Sequence, residues 1–176
     1  MELELLGWPP DGPKLELDYR LFSYAGKFVM TNTGKAVLRE AGEIRAAAAF
    51  NEDRTDPETL WIRYITTHTD HRGAGLGPRL LAFVRNRARK RGYDTVRIAV
   101  NNPFAYEACY RAGFSYTGRE TGLAELVLEA PAERTRARYQ EGLDAFRERD
   151  LGDPERGFLD RKHGVHPPDG SDQRNG

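Results

Sequence analysis

The sequence predicts an α/β fold, and three observations predict it. A run of apolar and β-branched residues, Leu60 to Thr66, reads as a strand. A glycine-rich turn follows, Arg72-Gly73-Ala74-Gly75-Leu76-Gly77. It opens a segment in which Leu80, Leu81, Val84 and Ala88 share one helical face. Beyond that helix, Val96, Ile98 and Val100 alternate as in a second strand.

The remaining elements follow in chain order. Met1 to Leu6 and Lys14 to Phe22 both alternate as strands do. The breaker run Trp8-Pro9-Pro10-Asp11-Gly12-Pro13 lies between them, which predicts a hairpin-like start. Ala25 to Met30 reads as a short helix, and Thr31 to Lys35 as loop. Ala36 to Glu40 and Glu43 to Phe50 read as two strands around Ala41-Gly42. Ala46 to Ala49 suit a helix by propensity, but the hairpin context makes them strand. Asn51 to Glu58 is a polar loop. The helix after the glycine turn stops at Lys90-Arg91-Gly92, with basic residues and a glycine at its end. Pro103 suits the first turn of a further helix. A hairpin through Gly118 to Gly122 leads to a last strand, Leu123 to Leu128.

The reading gives a first domain over residues 1–130 and a C-terminal extension over 131–176. The extension begins with a helix over 132–149, in which Tyr139, Leu143 and Phe146 form a stripe. That stripe is expected to dock on the chain's own core; a dimer seam is the alternative, so monomer and homodimer both stay open. From Gly164 onward apolar residues vanish, and the tail is expected to be disordered.

Composition bounds the function. A hydrophobic content of 39% supports a core, and 31% charge predicts a soluble chain. No run approaches a membrane span, and no charged-then-apolar leader is read. Cys109 is the only cysteine, so it makes no internal disulfide, and a reducing, cytoplasmic setting is expected. The four histidines form two pairs, His68 with His71 and His163 with His166, without clustered ligands, so no metal is expected. The net charge of zero is unevenly spread. Residues 60–130 carry 11 basic and 6 acidic side chains, hence +5. The excess peaks at Arg79, Arg85, Arg87, Arg89, Lys90 and Arg91. Most of it reads as a solvated helix face. A nucleic-acid partner is not expected, because only Phe83 offers a stacking surface on that helix.

A strand, a glycine turn and a helix start make a place for phosphate, because backbone N–H groups converge there. A nucleoside-triphosphate loop would end in Lys and Ser or Thr, yet Pro78 and Arg79 follow Gly77. A dinucleotide fingerprint needs G-x-G-x-x-G, while Gly73, Gly75 and Gly77 give G-x-G-x-G. Arg72, Gly75 and Gly77 instead fit the pattern Arg/Gln-x-x-Gly-x-Gly/Ala. After the next strand, Asn102, Ala105, Gly113 and Phe114 form a second spaced pattern: Asn-x-x-Ala, a short helix, then Gly-Phe. Together these motifs resemble the GNAT N-acetyltransferases, over roughly residues 36–129.

The resemblance implies a mixed, mostly antiparallel sheet flanked by helices, with acetyl-coenzyme A as co-substrate and a primary amine as acceptor. It implies that the strands ending near Thr67 and Val100 splay apart to admit the pantetheine arm. Backbone groups of Ile65 and Thr67 would line that arm. The amides of Gly73, Ala74, Gly75, Leu76 and Gly77 would hold the pyrophosphate, with Arg72 beside them. Asn102 would bond to the arm from the other wall; its own chemistry equally suits a helix cap. The acceptor region of the family lies between the first and second strands, where only about fifteen residues are expected here.

Two positions depart from the family pattern. Leu60 to Thr69 contain no carboxylate to act as base, which leaves Asp70, His68 and Glu43 as the nearest candidates. The tyrosine expected four residues before Gly113 is Cys109. Cys109, Tyr106 and Tyr110 are therefore the candidates for the acid that protonates the departing thiolate. The alternative to catalysis is a module that binds acyl-coenzyme A without turnover. An RNA-associated domain built on the Arg-rich helix is a third, weaker reading.

Overall fold

The computed structural model describes residues 1–170. It is a mixed α/β fold of seven strands and four α-helices, and most strand pairings are antiparallel. The described chain divides into two compact units, which part between Val96 and Arg97.

The first unit contains β1 (Glu2–Gly7), β2 (Gly34–Glu40), β3 (Glu43–Glu52), β4 (Thr59–Thr67) and α1 (Leu76–Arg91), and ends in the start of β5 (Thr95–Val100). β1, β2, β3 and β4 lie side by side, each antiparallel to the next. The alanine run is strand, as the hairpin context predicts. Ala46 to Ala49 are fully buried, because β3 has strands on both sides and cover on both faces. α1 packs against β2, β3 and β4. Ala47 and Ala49 join Phe28 and Val37 in a cluster that Leu15 and Leu17 extend. Alanine's helix propensity, worth well under ~1 kcal/mol per residue, yields to that packing. The alternation of strand side chains puts Ala46 and Ala48 on the opposite face.

The start of the chain corrects the expected hairpin. β1 pairs with β2, with Leu3 opposite Leu38, and Lys14 to Phe22 form no strand. Leu15 and Leu17 do alternate inward, so the pattern reported a buried face rather than a ladder partner. The connection between the first two strands therefore covers residues 8–33 and is longer than expected. Its regular element is a 3₁₀ turn, Ala25–Val29. Phe22, Ala25 and Phe28 are buried at the three-residue spacing of that helix type.

The second unit contains the rest of β5, α2 (Pro103–Arg111), β6 (Ser115–Glu120), β7 (Leu126–Ala130), α3 (Arg136–Arg147) and α4 (Asp153–Arg161). β6 and β7 form an antiparallel hairpin, turned at Thr121–Glu125 rather than at Gly118 to Gly122. Gly118 instead sits in the irregular middle of β6, at φ +82°. α3 packs on β6 and α4 on α2 and α3. Tyr139, Leu143 and Phe146 are fully buried, so the stripe docks within the chain. The composition gave no sign of α4, whose buried apolar side chain is Leu159.

Residues 164–170 correct part of the expected disorder. The Arg134 guanidinium donates to the Pro168 carbonyl (2.6 Å), and Gln140 donates to Val165 (2.8 Å). Side-chain donors hold this stretch where apolar burial is missing. The remainder of the expected tail, 171–176, lies outside the described residues.

Candidate functional site

The glycine turn is assembled wholly within the first unit. β4 pairs with β3 up to Thr67 opposite Ala46, and the His68 amide still donates to Arg45 O (2.8 Å). Ile65 stands opposite Ala48 on the same ladder. The chain then bends. His68 Nδ1 accepts from the Asp70 amide (3.1 Å) and caps a 3₁₀ turn, Thr69–His71. The buried His68 ring meets the ring of Phe22 edge-on, at 5.4 Å between centroids.

Arg72 leaves this turn in extended conformation, and Gly73 and Gly75 take left-handed backbone at φ +82° and +81°. A side chain would be strained at both positions. A Cβ on either would meet nothing within 4 Å, so their outer faces are open. Gly77 is closer to its own fold, since its Cβ would lie 3.7 Å from Thr67 Oγ1. Gly75 is the N-cap of α1, and no side chain caps that end. The amides of Leu76 and Gly77 fall in the first helical turn, where no intrahelical acceptor exists. Pro78 has no N–H to leave unpaired. The first turn carries no acidic residue and the last carries Arg89, Lys90 and Arg91. Residues Arg72 to Gly75 are exposed, Leu76 is buried, and Gly77 is partly covered. An anion fits such an end: unpaired donors, the positive end of the helix dipole, and room.

The basic residues of α1 are less uniformly solvated than expected. Arg85 is 8% exposed. Arg87 lies over Phe83 at 5.4 Å and Arg91 over Trp8 at 4.9 Å, so packing engages part of that charge.

The second unit holds the other candidates. Asn102 is the N-cap of α2: its Oδ1 accepts from the Ala105 amide (2.8 Å), with Pro103 in the first turn. The capping role is thus realised. Tyr106, Cys109 and Tyr110 all face the interior. The Tyr106 hydroxyl donates to Tyr139 O (2.9 Å), and burial drives its pKa far above the ordinary tyrosine value. The Tyr110 hydroxyl accepts from the Tyr116 amide (3.0 Å), and burial also raises its pKa. The Cys109 thiol is buried, and desolvation pushes it up to about 12. The four tyrosines 106, 110, 116 and 139 pack ring against ring around α2.

Of the candidate bases, His68 has its Nδ1 engaged by the turn, Asp70 is exposed, and Glu43 pairs with Arg45 at 3.2 Å. Among the described residues no group of three metal-ligating side chains converges, and no helix is long and apolar enough to cross a membrane. Sequence reasoning missed the approach of Leu21, Phe22 and Ser23 to the glycine turn. The three-residue spacing of Phe22, Ala25 and Phe28 was the available signal.

A model of the acetyltransferase (GNAT) family matches residues 1–114, and the chain belongs to that family. Two Bacillus structures agree in fold. The IAA acetyltransferase from Bacillus cereus ATCC 14579 is 17% identical, with a TM-score of 0.55 over 73% of this chain and 97% of that one. A Bacillus subtilis acetyltransferase in complex with CoA is 18% identical, with a TM-score of 0.55 over 72% and 95%. Nourseothricin acetyltransferase is 24% identical with a TM-score of 0.48; the match covers 57% of this chain and 66% of that one, just under two thirds of its length. No curated protein matches the chain.

Proposed function

We propose that this protein is an acetyl-coenzyme A-dependent N-acetyltransferase acting on a primary amine. One observation carries the reading: an open, uncapped helix start preceded by two left-handed glycines and an arginine, in a chain of the GNAT family. The amides from Gly73 to Gly77 take the pyrophosphate, and Arg72 adds charge beside it. Ile65 and Thr67 supply backbone groups to the pantetheine arm, and the Thr67 amide polarises the acetyl carbonyl. Asn102, already a cap, keeps amide hydrogen-bonding capacity beyond that bond.

The reaction joins the acceptor nitrogen to the acetyl carbon and breaks the carbon–sulfur bond. An alkyl ammonium, with a pKa near ~10, first gives up a proton. With no carboxylate on Leu60 to Thr69, ordered water carries that proton to bulk. The departing thiolate takes a proton in turn. Cys109 is the nearest match to the family's acid position, and at a pKa of about 12 it holds its proton at neutral pH. Tyr106 and Tyr110 are the other two candidates. The state of all three favours a second reading. Each is buried and both tyrosine hydroxyls serve the fold, as expected of a module that binds acyl-coenzyme A without turnover.

Coenzyme A thiol release, followed across amines, polyamines and peptides with free amino termini or lysines, separates the two. Acceptor-dependent release supports the transferase. Saturable acetyl-coenzyme A binding with no release above the hydrolysis rate supports the binding module.

A further inference from the structure

We propose that Ser23 is a positioning residue for the cofactor loop, acting through Arg72. The inference rests on the cofactor reading above and concerns a residue outside both sequence motifs. Three consecutive residues of the connection between β1 and β2 attach to the approach to the glycine turn. The Leu21 carbonyl accepts from the Thr69 amide (2.9 Å). Phe22 is buried with its ring edge-on to His68. Ser23 Oγ accepts from Arg72 Nη2 (3.1 Å) across 49 residues of sequence.

The backbone is bent to make this possible. Tyr24, the next residue, has φ +61°, and its ring lies 5.7 Å from that of Tyr64 on β4. A left-handed backbone is costly for a tyrosine, and the contacts on either side hold it there.

The consequence concerns Arg72. An exposed arginine side chain holds much rotamer entropy, which an anion must overcome to order it. One Nη2 proton on Ser23 restricts the guanidinium beside Gly73 and leaves its other donors for phosphate. The loop is thereby prepared before the anion arrives, and preparation of this kind tightens binding without adding a contact to the ligand. The hydroxyl is solvent-exposed, so its effect is modest.

The test is a calorimetric double-mutant cycle with coenzyme A on wild type, Ser23→Ala, Ser23→Thr, Arg72→Ala and the Ser23→Ala/Arg72→Ala pair. Thermal melts run alongside. Ser23→Ala should weaken coenzyme A about 3- to 10-fold with an unchanged melting temperature, a range set by one exposed hydrogen bond. Ser23→Thr, which keeps the hydroxyl, should bind as wild type. In the Arg72→Ala background Ser23→Ala should have no further effect. Equal or tighter binding by Ser23→Ala, or an equal loss in the Arg72→Ala background, overturns the assignment. If wild type itself fails to bind coenzyme A, the cofactor reading falls and takes this inference with it. If wild type binds and Ser23→Ala is silent, only this inference falls.

Discussion

Gly75 and Gly142 lie in different units, and the fold uses them in opposite ways. A Cβ on Gly75 would meet nothing within 4 Å, whereas one on Gly142 would collide with the Tyr106 hydroxyl oxygen. The first glycine keeps space open for something outside the protein. The second lets α3 approach α2 closely enough for the Tyr106 hydroxyl to reach Tyr139 O. The same contrast separates their regions. The turn before α1 is exposed and made of backbone amides; the inner face of α2 is sealed and made of side chains bonded to the fold. A ligand site and a packing site both ask for unusual residues at fixed spacings, and a one-dimensional pattern records only the spacing.

The largest effect is expected at the turn. Gly75→Val puts a branched side chain into the open space and into left-handed backbone. Acetyl-coenzyme A affinity should fall ~100-fold or more, while backbone strain costs only about 1–2 kcal/mol of stability. Titration calorimetry with a parallel denaturation curve checks both halves. A variant that unfolds before it loses binding would erase the distinction between the two glycines.

Gly142→Ala should reverse that profile. The added methyl must displace the Tyr106 ring, at a cost of about 1–3 kcal/mol in urea unfolding, with acetyl-coenzyme A affinity held within about twofold. Tyr106→Phe is milder. It removes one buried hydrogen bond worth about 1 kcal/mol, and, if the tyrosine is a structural post, turnover stays within about twofold. A ~100-fold loss of turnover with unchanged stability would return Tyr106 to the chemistry.

A further effect is expected in alkali. The Cys109 thiol is raised from 9.0 to about 12 by burial, so the folded state holds a proton that the unfolded chain releases. Between pH 9 and 12 the unfolded chain binds fewer protons, and stability falls as pH rises through that window. Tyr93, also pushed up to about 12, slopes the same way. Cys109→Ala should therefore flatten the decline without abolishing it, as read from melting temperatures at pH 8 to 11. An identical slope would mean that Cys109 is not desolvated.

These contrasts explain what the sequence made legible. The helix after the glycine turn could be bounded because Gly75 and Gly92 mark both its ends with left-handed backbone. β3 needed its hairpin neighbours, since alanine alone argues for helix. The Lys14 to Phe22 segment misled because alternation encodes a buried face, while a strand also needs a partner, and β2 was already paired with β1. α4 left little trace because a single buried leucine suffices once Lys162 pairs with Glu107 (3.0 Å) and Gln140 bonds Lys162 O (2.8 Å). The glycine loop was readable because backbone geometry dictates its residues. Ser23 was not, because a serine 49 positions away carries no local sign of the arginine it holds.

The central claim is that the turn from Arg72 to Gly77 receives the cofactor's phosphates. Amide chemical shifts followed through a coenzyme A titration test it most directly, since each glycine N–H reports on its own hydrogen bond. The account predicts saturable shifts that are largest at Gly73, Gly75, Leu76 and Gly77. Saturable binding that leaves those four amides unmoved would contradict it.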